Sequence, residues 1–384
     1  MISRVVCWNT VLTDHQAPLY RELHKLYPGE VFVFKKEDIN RKMQGWTAVD
    51  STGLNIKYFE PKFQMVKAVH KLILHRNDVH IFGNPFDRLS SIVLVFAAAF
   101  MRIRFFLISE PFNTSATSYV EKGFPLSTYI RAILRPVVYK IYCHLIKDRV
   151  SGIFAISSTS VAQYKRAGIP ECKIFPFAYF PYFRFKTDFY CNTKHDVNNI
   201  LKLIFIGALI PRKGLANLLR TVKKFNEKGW GVTLDCFGPG DSSIYAFSEP
   251  SSTYRGVLQF GSAAQTISRY DLLILPSVFD GWGVVCNEAV LVGVPVVCSS
   301  DVGFSGVVSK WGCGLTYEQH DPGGLEDALS FFLANPDRVY QMRENALSVA
   351  AGLEPSVGAQ YVAAVIRHII DGSERPSAIW YDCE

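Results

Sequence analysis

Residues 271–297 read DLLILPSVFDGWGVVCNEAVLVGVPVV, and this stretch decides how the chain folds around its candidate site. The apolar segments at its two ends have the length and composition of buried parallel strands. Between them, a loop with Gly281 and Gly283 leads into a helical segment that carries Glu288. Asp280 lies in that loop, with seven residues between it and Glu288. The stretch therefore predicts a strand–loop–helix–strand unit with one carboxylate in the loop and one about two turns into the helix.

The start of this helix is suited to binding an anion. Its first backbone N–H groups have no partner within the helix, and the helix dipole adds a positive potential. Further along, the Glu288 carboxylate can accept hydrogen bonds from vicinal hydroxyls such as those of ribose. The pattern predicts a nucleotide site, and the simpler alternative is a strand–turn–helix unit with a solvated Glu288. The candidate binding residues of the loop are Gly281, Trp282, Gly283, Val284 and Val285.

A second candidate site element is the stretch LKLIFIGALIPRKG at residues 201–214. An apolar strand ends at Gly207, and a short loop then presents Arg212 and Lys213. Arginine offers a planar fork for phosphate oxygens and lysine a compact point charge. We interpret the pair as a phosphate grip, and the alternative is a solvated basic turn.

Another strand is followed by FGPGD at residues 237–241, where Gly238 and Gly240 would allow the backbone to approach a base or ribose closely.

Strand candidates alternate with helical segments along the chain, which indicates parallel α/β sheets covered on both faces. A polar and aromatic stretch, Pro181–Asn199, is interpreted as a linker between two such series. We predict two doubly wound Rossmann-like domains, residues 1–185 and 196–365, with functional loops beyond the carboxyl ends of the strands. The strand candidates are Val5–Trp8, Val31–Phe34, Val79–Phe82, Phe105–Ile108, Gly152–Ile156, Leu201–Ile206, Thr233–Phe237, Leu258–Phe260, Leu272–Leu275 and Val294–Cys298.

Together these motifs resemble the donor-site signature of retaining glycosyltransferases with the GT-B fold, glycosyltransferase family four. The family run P-S-x-x-E-G-x-G-x-x-x-x-E-A-x-x-x-G-x-P-V is matched from Pro276 to Val296, except that Asp280 replaces the usual Glu. The resemblance implies that Arg212 and Lys213 hold the diphosphate of a nucleotide sugar. It also implies that Glu288 holds the ribose and Asp280 the sugar hydroxyls.

The resemblance further implies the reaction. A UDP- or GDP-sugar would be the donor, and a hydroxyl of a glycan or lipid-linked glycan would be the acceptor, in cell-surface polysaccharide synthesis. Retention would proceed by same-face displacement, without a metal or another cofactor. In this fold the last helix crosses back to the first domain, which implies that residues 366–384 return there. The alternatives are a nucleotide-sugar epimerase or hydrolase of the same fold, and a catalytically inactive nucleotide-sugar-binding protein.

The N-terminal half offers two candidates for the acceptor side. His15 lies where a loop meets the first helix, and it would touch acceptor or donor phosphate or serve with Asp14 in a capping role. Glu110 directly follows a strand, where a carboxylate can order an acceptor hydroxyl or take its proton. The alternative for Glu110 is an ion pair with Arg102 or Arg104.

Two apolar segments of the same half are candidates for contact with a membrane. Ile92–Met101 is too short to span a bilayer and is interpreted as a buried helix. Tyr129–Lys147 combines aliphatic and aromatic residues with basic ones and is interrupted by Pro136. Such a segment lies at an anionic bilayer surface or packs into the core, and we favour the core. Its basic residues are Arg131, Arg135, Lys140 and Lys147.

Composition narrows the class of protein. The 384 residues carry a net charge of +7, which is too small and too dispersed to indicate nucleic-acid binding. The nine cysteines form no C-x-x-C pair and are interpreted as reduced thiols of a cytoplasmic protein. The first residues show no signal-peptide pattern, so we expect a cytoplasmic location with peripheral contact at the inner face of the cell membrane.

Overall fold

The computed structural model describes residues 4–36, 49–59, 63–113, 126–181, 200–259, 261–378 and 380. In this part of the chain, two sheets of seven and six strands are each made of parallel neighbours. Helices follow most strands and cover the sheets, as right-handed crossover connections require. The prediction of two doubly wound α/β sheets is therefore confirmed.

The first sheet has the strand order β3-β2-β1-β4-β5-β6-β7. Its strands are β1 (Val5–Asn9), β2 (Val31–Val33), β3 (Ile56–Tyr58), β4 (Val79–Phe82), β5 (Phe105–Ser109), β6 (Gly152–Ile156) and β7 (Ile174–Phe177). The helices of this half are α1 (Ala17–Leu26), α2 (Gln64–Leu74), α3 (Leu89–Phe100), α4 (Leu126–Ile146) and α5 (Ser157–Arg166).

The second sheet has the order β10-β9-β8-β11-β12-β13. Its strands are β8 (Leu201–Ile206), β9 (Val232–Phe237), β10 (Ser252–Tyr254), β11 (Leu272–Leu275), β12 (Val296–Ser299) and β13 (Gly314–Tyr317). Its helices are α6 (Leu215–Glu227), α7 (Ala263–Ile267), α8 (Val284–Leu291), α9 (Ser305–Trp311), α10 (Gly324–Ala334) and α11 (Asp337–Gly352), and α12 (Pro355–Asp371) follows.

The central strands are apolar along their whole length because both faces of each sheet are covered. Every residue of β5 and β6 in the first sheet, and of β11 and β12 in the second, is buried. Removing such continuous apolar surface from water stabilises each sheet by about 25 cal/mol per Å². This burial fixes the carboxyl ends of the strands, and therefore the loops that follow them.

Helix α12 packs against the first half of the molecule although it follows the second sheet. It contacts α1, and residues of both helices belong to one buried apolar cluster. Tyr361 stacks on Phe177 with ring centroids 6.1 Å apart. Beyond the helix, the indole Nε1 of Trp380 donates to the backbone oxygen of Phe177 at 3.1 Å. The end of β7 therefore packs against α12 and the residues that follow it. The exact domain boundaries stay a prediction.

Two details of the sequence prediction are wrong. The edge strand of the second sheet is Ser252–Tyr254, and Leu258 and Gln259 lie outside any strand. Gly256, with φ +87°, turns the chain after β10, so the apolar residues beyond it do not continue the pairing. Helix α4 also runs through Pro136 without interruption. Phe260 and all of the predicted linker except Pro181 lie outside the described residues.

We compared the helices of the described chain with the length and hydropathy that a membrane span needs. No single helix meets both requirements, and α11 and α12 meet them only as a pair bent by 53°.

Candidate active site

Two loops of the second domain form the donor side of the candidate site. One follows β8 and contains a 3₁₀ turn at Pro211–Lys213, and the other follows β11. The N–H of Val278 donates to the backbone oxygen of Arg212 at 2.7 Å. In return, Nη1 of Arg212 donates to the backbone oxygen of Phe279 at 2.8 Å. The guanidinium group of the predicted phosphate grip therefore also holds the two loops together.

An ion pair joins the two predicted donor residues. Nζ of Lys213 donates to Oδ2 of Asp280, and only 13% and 15% of the two side chains are exposed. Burial lowers the local dielectric, so the attraction is stronger than at a surface, and so is the cost of removing one partner. The structure also rejects a capping role for Asp280, because the N-cap of α8 is Gly283 and no side chain caps it.

The glycines of these loops permit close backbone packing. Gly214 has φ +72°, and a β-carbon there would overlap the carbonyl oxygen of Pro276. Gly238, at φ +142°, would overlap the carbonyl oxygen of Gly207 in the same way. A β-carbon on Gly240 would come within 2.7 Å of the Leu209 side chain. In the structure these close approaches join one loop to another, so the need for glycine is explained without a ligand.

Glu288 lies in α8 and is only partly exposed. It makes no hydrogen bond or ion pair with any residue that the structure describes, and burial raises the pKa of its carboxyl to about 8. A carboxyl group that is partly buried without a partner has lost part of the hydration that a ligand can replace. The Glu288 carboxyl can therefore accept hydrogen bonds from the hydroxyl groups of a ligand.

The helix start that precedes Glu288 combines a buried anchor with open amides. The Trp282 indole is buried and donates to Oδ1 of Asn287 at 2.8 Å, so its ring belongs to the core. Gly283 has φ +88°, a left-handed conformation that a glycine adopts without strain. The side chains of Val284 and Val285 are partly buried. Their N–H groups stand in the first turn, where a helix leaves its donors unpaired.

The first domain has a cavity of about 320 Å³ at the carboxyl ends of its central strands. Its walls are mainly polar and include both charged and neutral groups. They are formed by Asn9, Thr10, Val11, Thr13, Gln16, Lys35, Gly83, Asn84, Ile108, Glu110, Ile156 and Tyr179. Polar groups that converge in a cleft are typical of a small-molecule site.

Glu110 lies between this cavity and the donor loop. Its Oε1 accepts a hydrogen bond from the Tyr179 hydroxyl. Its Oε2 is 2.9 Å from where a β-carbon on Gly281 would stand. The alternative pairing with Arg104 is wrong, because the two residues lie at opposite ends of β5, roughly 20 Å apart along an extended strand. The same argument excludes Arg102.

Tyr179 connects the two domains and was not predicted from the sequence. Besides its bond to Glu110, its backbone oxygen accepts from Nδ2 of Asn287 at 3.1 Å. The His15 ring lies beside it, with ring centroids 5.5 Å apart. His15 does not cap α1, whose N-cap is Gln16 without a side-chain cap bond. The predicted His15 and Glu110 thus meet at one tyrosine.

Lys35 and Asn84 were also missed by the sequence analysis. Lys35 comes soon after β2, and Asn84 soon after β4. The rule that ligands bind at the carboxyl ends of parallel strands provides the signal that would have found both. Sequence spacing alone provides no such signal for Tyr179, because only the assembly of β5, β6 and β7 in one sheet brings it to Glu110.

We searched the described residues for a metal site. No group of three or more His, Cys, Asp or Glu side chains among them is arranged to hold a metal ion.

Two parallel α/β domains, with glycine-rich loops of one facing a polar cavity of the other, have the architecture of the GT-B fold. Residues 194–349 match the family described as Glycosyl transferases group 1. The match covers the second domain with both donor-side loops, and it agrees with the resemblance to glycosyltransferase family four.

Comparisons with known proteins agree with this assignment. The chain is 27% identical over 188 residues to D-inositol 3-phosphate glycosyltransferase 2 of Catenulispora acidiphila, which is 44% of this chain and 43% of that protein. It thus spans less than half the length of this curated relative. Anabaena HepE, solved with UDP and glucose, superposes with a TM-score of 0.67 at 15% identity, over 95% of this chain and 99% of that one.

A second solved structure, the lipopolysaccharide outer core galactosyltransferase WaaB, gives a TM-score of 0.62 at 15% identity. It covers 97% of this chain and 100% of that chain. At such identities the likeness shows the fold, so the GT-B expectation is confirmed.

Proposed function

We propose that this protein is a retaining glycosyltransferase that moves a sugar from a nucleotide-diphosphate sugar to a hydroxyl acceptor. One observation carries the proposal. The two loops joined by the Lys213–Asp280 ion pair face a helix start with a partnerless Glu288, and this unit lies within the family match. A phosphate, a sugar and a ribose have complementary groups there.

The donor is proposed to be a UDP-sugar. This choice is supported by the fold shared with HepE, whose structures hold UDP with glucose and UDP-glucose. Arg212 and Lys213 would bind the diphosphate, and the open amides of Val284 and Val285 would add neutral donors. Glu288 would accept from the ribose hydroxyls. Asp280 would leave Lys213 to accept hydrogen bonds from the sugar hydroxyls.

The reaction is proposed to proceed on one face of the sugar. The bond between the anomeric carbon and the diphosphate oxygen breaks, and its electrons stay on the diphosphate. The acceptor oxygen bonds to the same face of that carbon, and its proton passes to the departing phosphate oxygen. The positive charges of Arg212 and Lys213 stabilise the charge that grows on the diphosphate, which is the largest effect available here.

Glu110 is proposed to order the acceptor hydroxyl. It borders the cavity of the first domain and approaches Gly281 of the donor loop, so it stands where acceptor and donor would meet. The Tyr179 hydroxyl holds one of its oxygens, which fixes the direction of the other. The cavity would hold the acceptor, a glycan or a lipid-linked glycan of cell-surface polysaccharide synthesis.

The experiment that tests the proposal measures nucleoside diphosphate release from a panel of UDP- and GDP-sugars, with and without candidate glycan acceptors. We expect release from one donor that depends on acceptor, and a product whose anomeric proton coupling matches that of the donor. Release without any acceptor would favour the hydrolase or epimerase alternative. Thermal stabilisation by a nucleotide sugar without any release would favour an inactive binding protein.

A further inference from the structure

Helix α4 has two apolar faces, and only one of them is used by the fold. Ala132, Tyr139, Tyr142, Cys143 and Ile146 are buried against the first domain. A second apolar row, which starts at Ile130, is open to solvent, and Ile133 is 73% exposed. We name this row the exposed stripe; it consists of Ile130, Ile133, Leu134, Val137, Val138, Ile141 and Leu145.

The exposed stripe is a continuous surface. At about 100° per residue, its members fall within an arc of about 140°, opposite the buried residues. Side chains three and four positions apart on a helix touch each other, so the stripe runs along the helix, and the polar His144 enters its arc only near the last turn. Such a face is typical of a helix that binds a second surface.

The charges that flank the stripe are all basic. On the same helical projection, Lys140 borders one edge, and Arg135 lies beyond the other. Helix α4 contains no Asp or Glu. A partner helix in a coiled coil is usually matched by flanking charges of both signs. An apolar stripe that is flanked only by cations is suited to the interface of a membrane that contains anionic lipids.

Helix α3 also has exposed apolar residues. It lies beside α4, since the rings of Phe96 and Tyr142 are 5.6 Å apart. Its outward residues Leu89 and Phe100 are 74% and 90% exposed, and α3 contains no charged residue. Arg102 follows soon after the helix and is exposed as well. A surface of two neighbouring helices can rest on a flat bilayer, whereas one partner helix would cover only part of it.

We propose that the outward faces of α3 and α4 dock this protein on a bilayer that contains anionic lipids. The aliphatic residues of the exposed stripe enter the boundary between headgroups and acyl chains, and the flanking cations contact lipid phosphates. The expectation that α4 is a core helix therefore describes only one of its two faces. Ile92–Met101, which overlaps α3, was likewise expected to be a buried helix, but Phe100 near its end is exposed.

The proposal also sets where the membrane would lie. Nη1 of Arg135 donates to the backbone oxygen of Asn113 at 2.8 Å, and Phe112 packs on Tyr139 with ring centroids 4.3 Å apart. Both contacts place the middle of α4 beside the segment that follows Glu110. Because the exposed stripe faces away from Tyr139, the bilayer would lie across α4 from that segment.

Vesicle co-sedimentation of the whole protein, without donor or acceptor, tests the docking separately from the transferase activity. Binding should be strong to vesicles of phosphatidylcholine mixed with phosphatidylglycerol, weak to phosphatidylcholine alone, and weaker at high salt. The variant Ile133→Gln/Val137→Gln/Ile141→Gln should bind on the order of a hundredfold more weakly, because three aliphatic side chains no longer enter the lipid.

A matched control distinguishes this surface from exposed apolar residues in general. Ile244→Gln/Val257→Gln changes comparably exposed residues of the second domain and should bind vesicles as the unchanged protein does. For the charges, Lys140→Gln should weaken binding about fivefold, the effect of one cation near an anionic surface. Lys223→Gln, on exposed α6, should have no effect.

Three results would overturn the proposal. One is failure of the unchanged protein to bind the anionic vesicles, and another is equal binding by the triple variant with its circular dichroism spectrum unchanged. The third is a dimer in light scattering that the triple variant abolishes, because the occupant of the stripe would then be a second copy of the chain.

Discussion

The two sides of the cleft are built in different ways. On the donor side, the backbone of one loop packs directly against the backbone of the next, because Gly214 and Gly238 have no side chain. On the acceptor side, side chains line a cavity, and Lys35, Asn84 and Tyr179 come from separate strands. Backbone packing requires particular residues at particular spacings, and it leaves a motif in the sequence. A cavity lined by side chains requires only that a polar residue follows each strand.

The donor side should respond most strongly to loss of charge. We expect Lys213→Ala to lower turnover on the order of a hundredfold or more, since the lost contact stabilises charge on the departing diphosphate. It should also lower thermal stability, because Asp280 stays partly buried without its partner. Steady-state kinetics with Lys223→Ala as the control checks this, and near-normal turnover would remove Lys213 from the site.

Gly214→Ala breaks the backbone contact between the donor loops. The new β-carbon would overlap the Pro276 carbonyl in addition to the strain of a positive φ. Gly168→Ala is the matched control, since Gly168 has φ +87° but nothing within 4 Å of a β-carbon. We expect about 1 kcal/mol of destabilisation at Gly168 and about 2 kcal/mol more at Gly214. Equal denaturant midpoints for the two variants would contradict the proposed packing.

Glu288→Gln tests the partnerless carboxyl of the donor side. We expect UDP affinity to fall about tenfold, the scale of one hydrogen bond to a charged group. Burial raises the pKa of Glu288 to about 8, so its carboxyl is protonated near neutral pH when no ligand is bound. Ribose hydroxyls favour the carboxylate, so UDP binding should release that proton and should tighten as pH rises toward 8. Calorimetry in buffers of different ionisation enthalpy measures the release, which Glu288→Gln should abolish while Glu227→Gln leaves it unchanged.

The same group makes stability depend on pH. An unfolded Glu loses its proton near pH 4.3, whereas the folded protein retains it up to about pH 8. The unfolded state therefore binds fewer protons in this window, and the free energy of unfolding contributed by Glu288 falls as pH rises through it. Partial exposure reduces the size of this effect. If the Glu288→Gln variant showed the same pH slope as the unchanged protein, the burial argument would be wrong.

Lys35→Ala should give the smallest effect and belongs to the acceptor side. Loss of one positive charge from the cavity should raise the KM for the acceptor about fivefold, as for one exposed ionic contact. The KM for the donor should not change. Lys36→Ala changes the neighbouring exposed lysine, which does not line the cavity, and should match the unchanged protein. An altered donor KM in Lys35→Ala would mean that the two sides are not separate.

The sequence predicted the long buried strands well because their apolar runs have no other stable environment. β4, β6, β8 and β11 have the predicted bounds. It missed β3, β7, β10 and β13, which are the four edge strands of the two sheets. Each of them pairs with one neighbouring strand, which is a tertiary effect that the local sequence does not record.

The candidate site divides in the same way. Lys213, Asp280 and Glu288 were predicted from spacing, and the structure brings Lys213 and Asp280 into contact. Spacing did not reveal that they pair with each other, because the two loops come from different strands. Nor did it reveal the contact of Tyr179 with Glu110, which forms only when β7 and β5 stand in one sheet.

The packing of α12 on α1 has a consequence for how the protein folds during its synthesis on the ribosome. Leu23 of α1 shares one buried cluster with Val362 of α12, so the first helix has no complete cover until the last one has left the exit tunnel. Contacts between such distant parts of a chain form late and slowly. The first domain, although synthesised first, would therefore expose an apolar face throughout synthesis of the second, and we expect that interval to be the time when chaperones bind it.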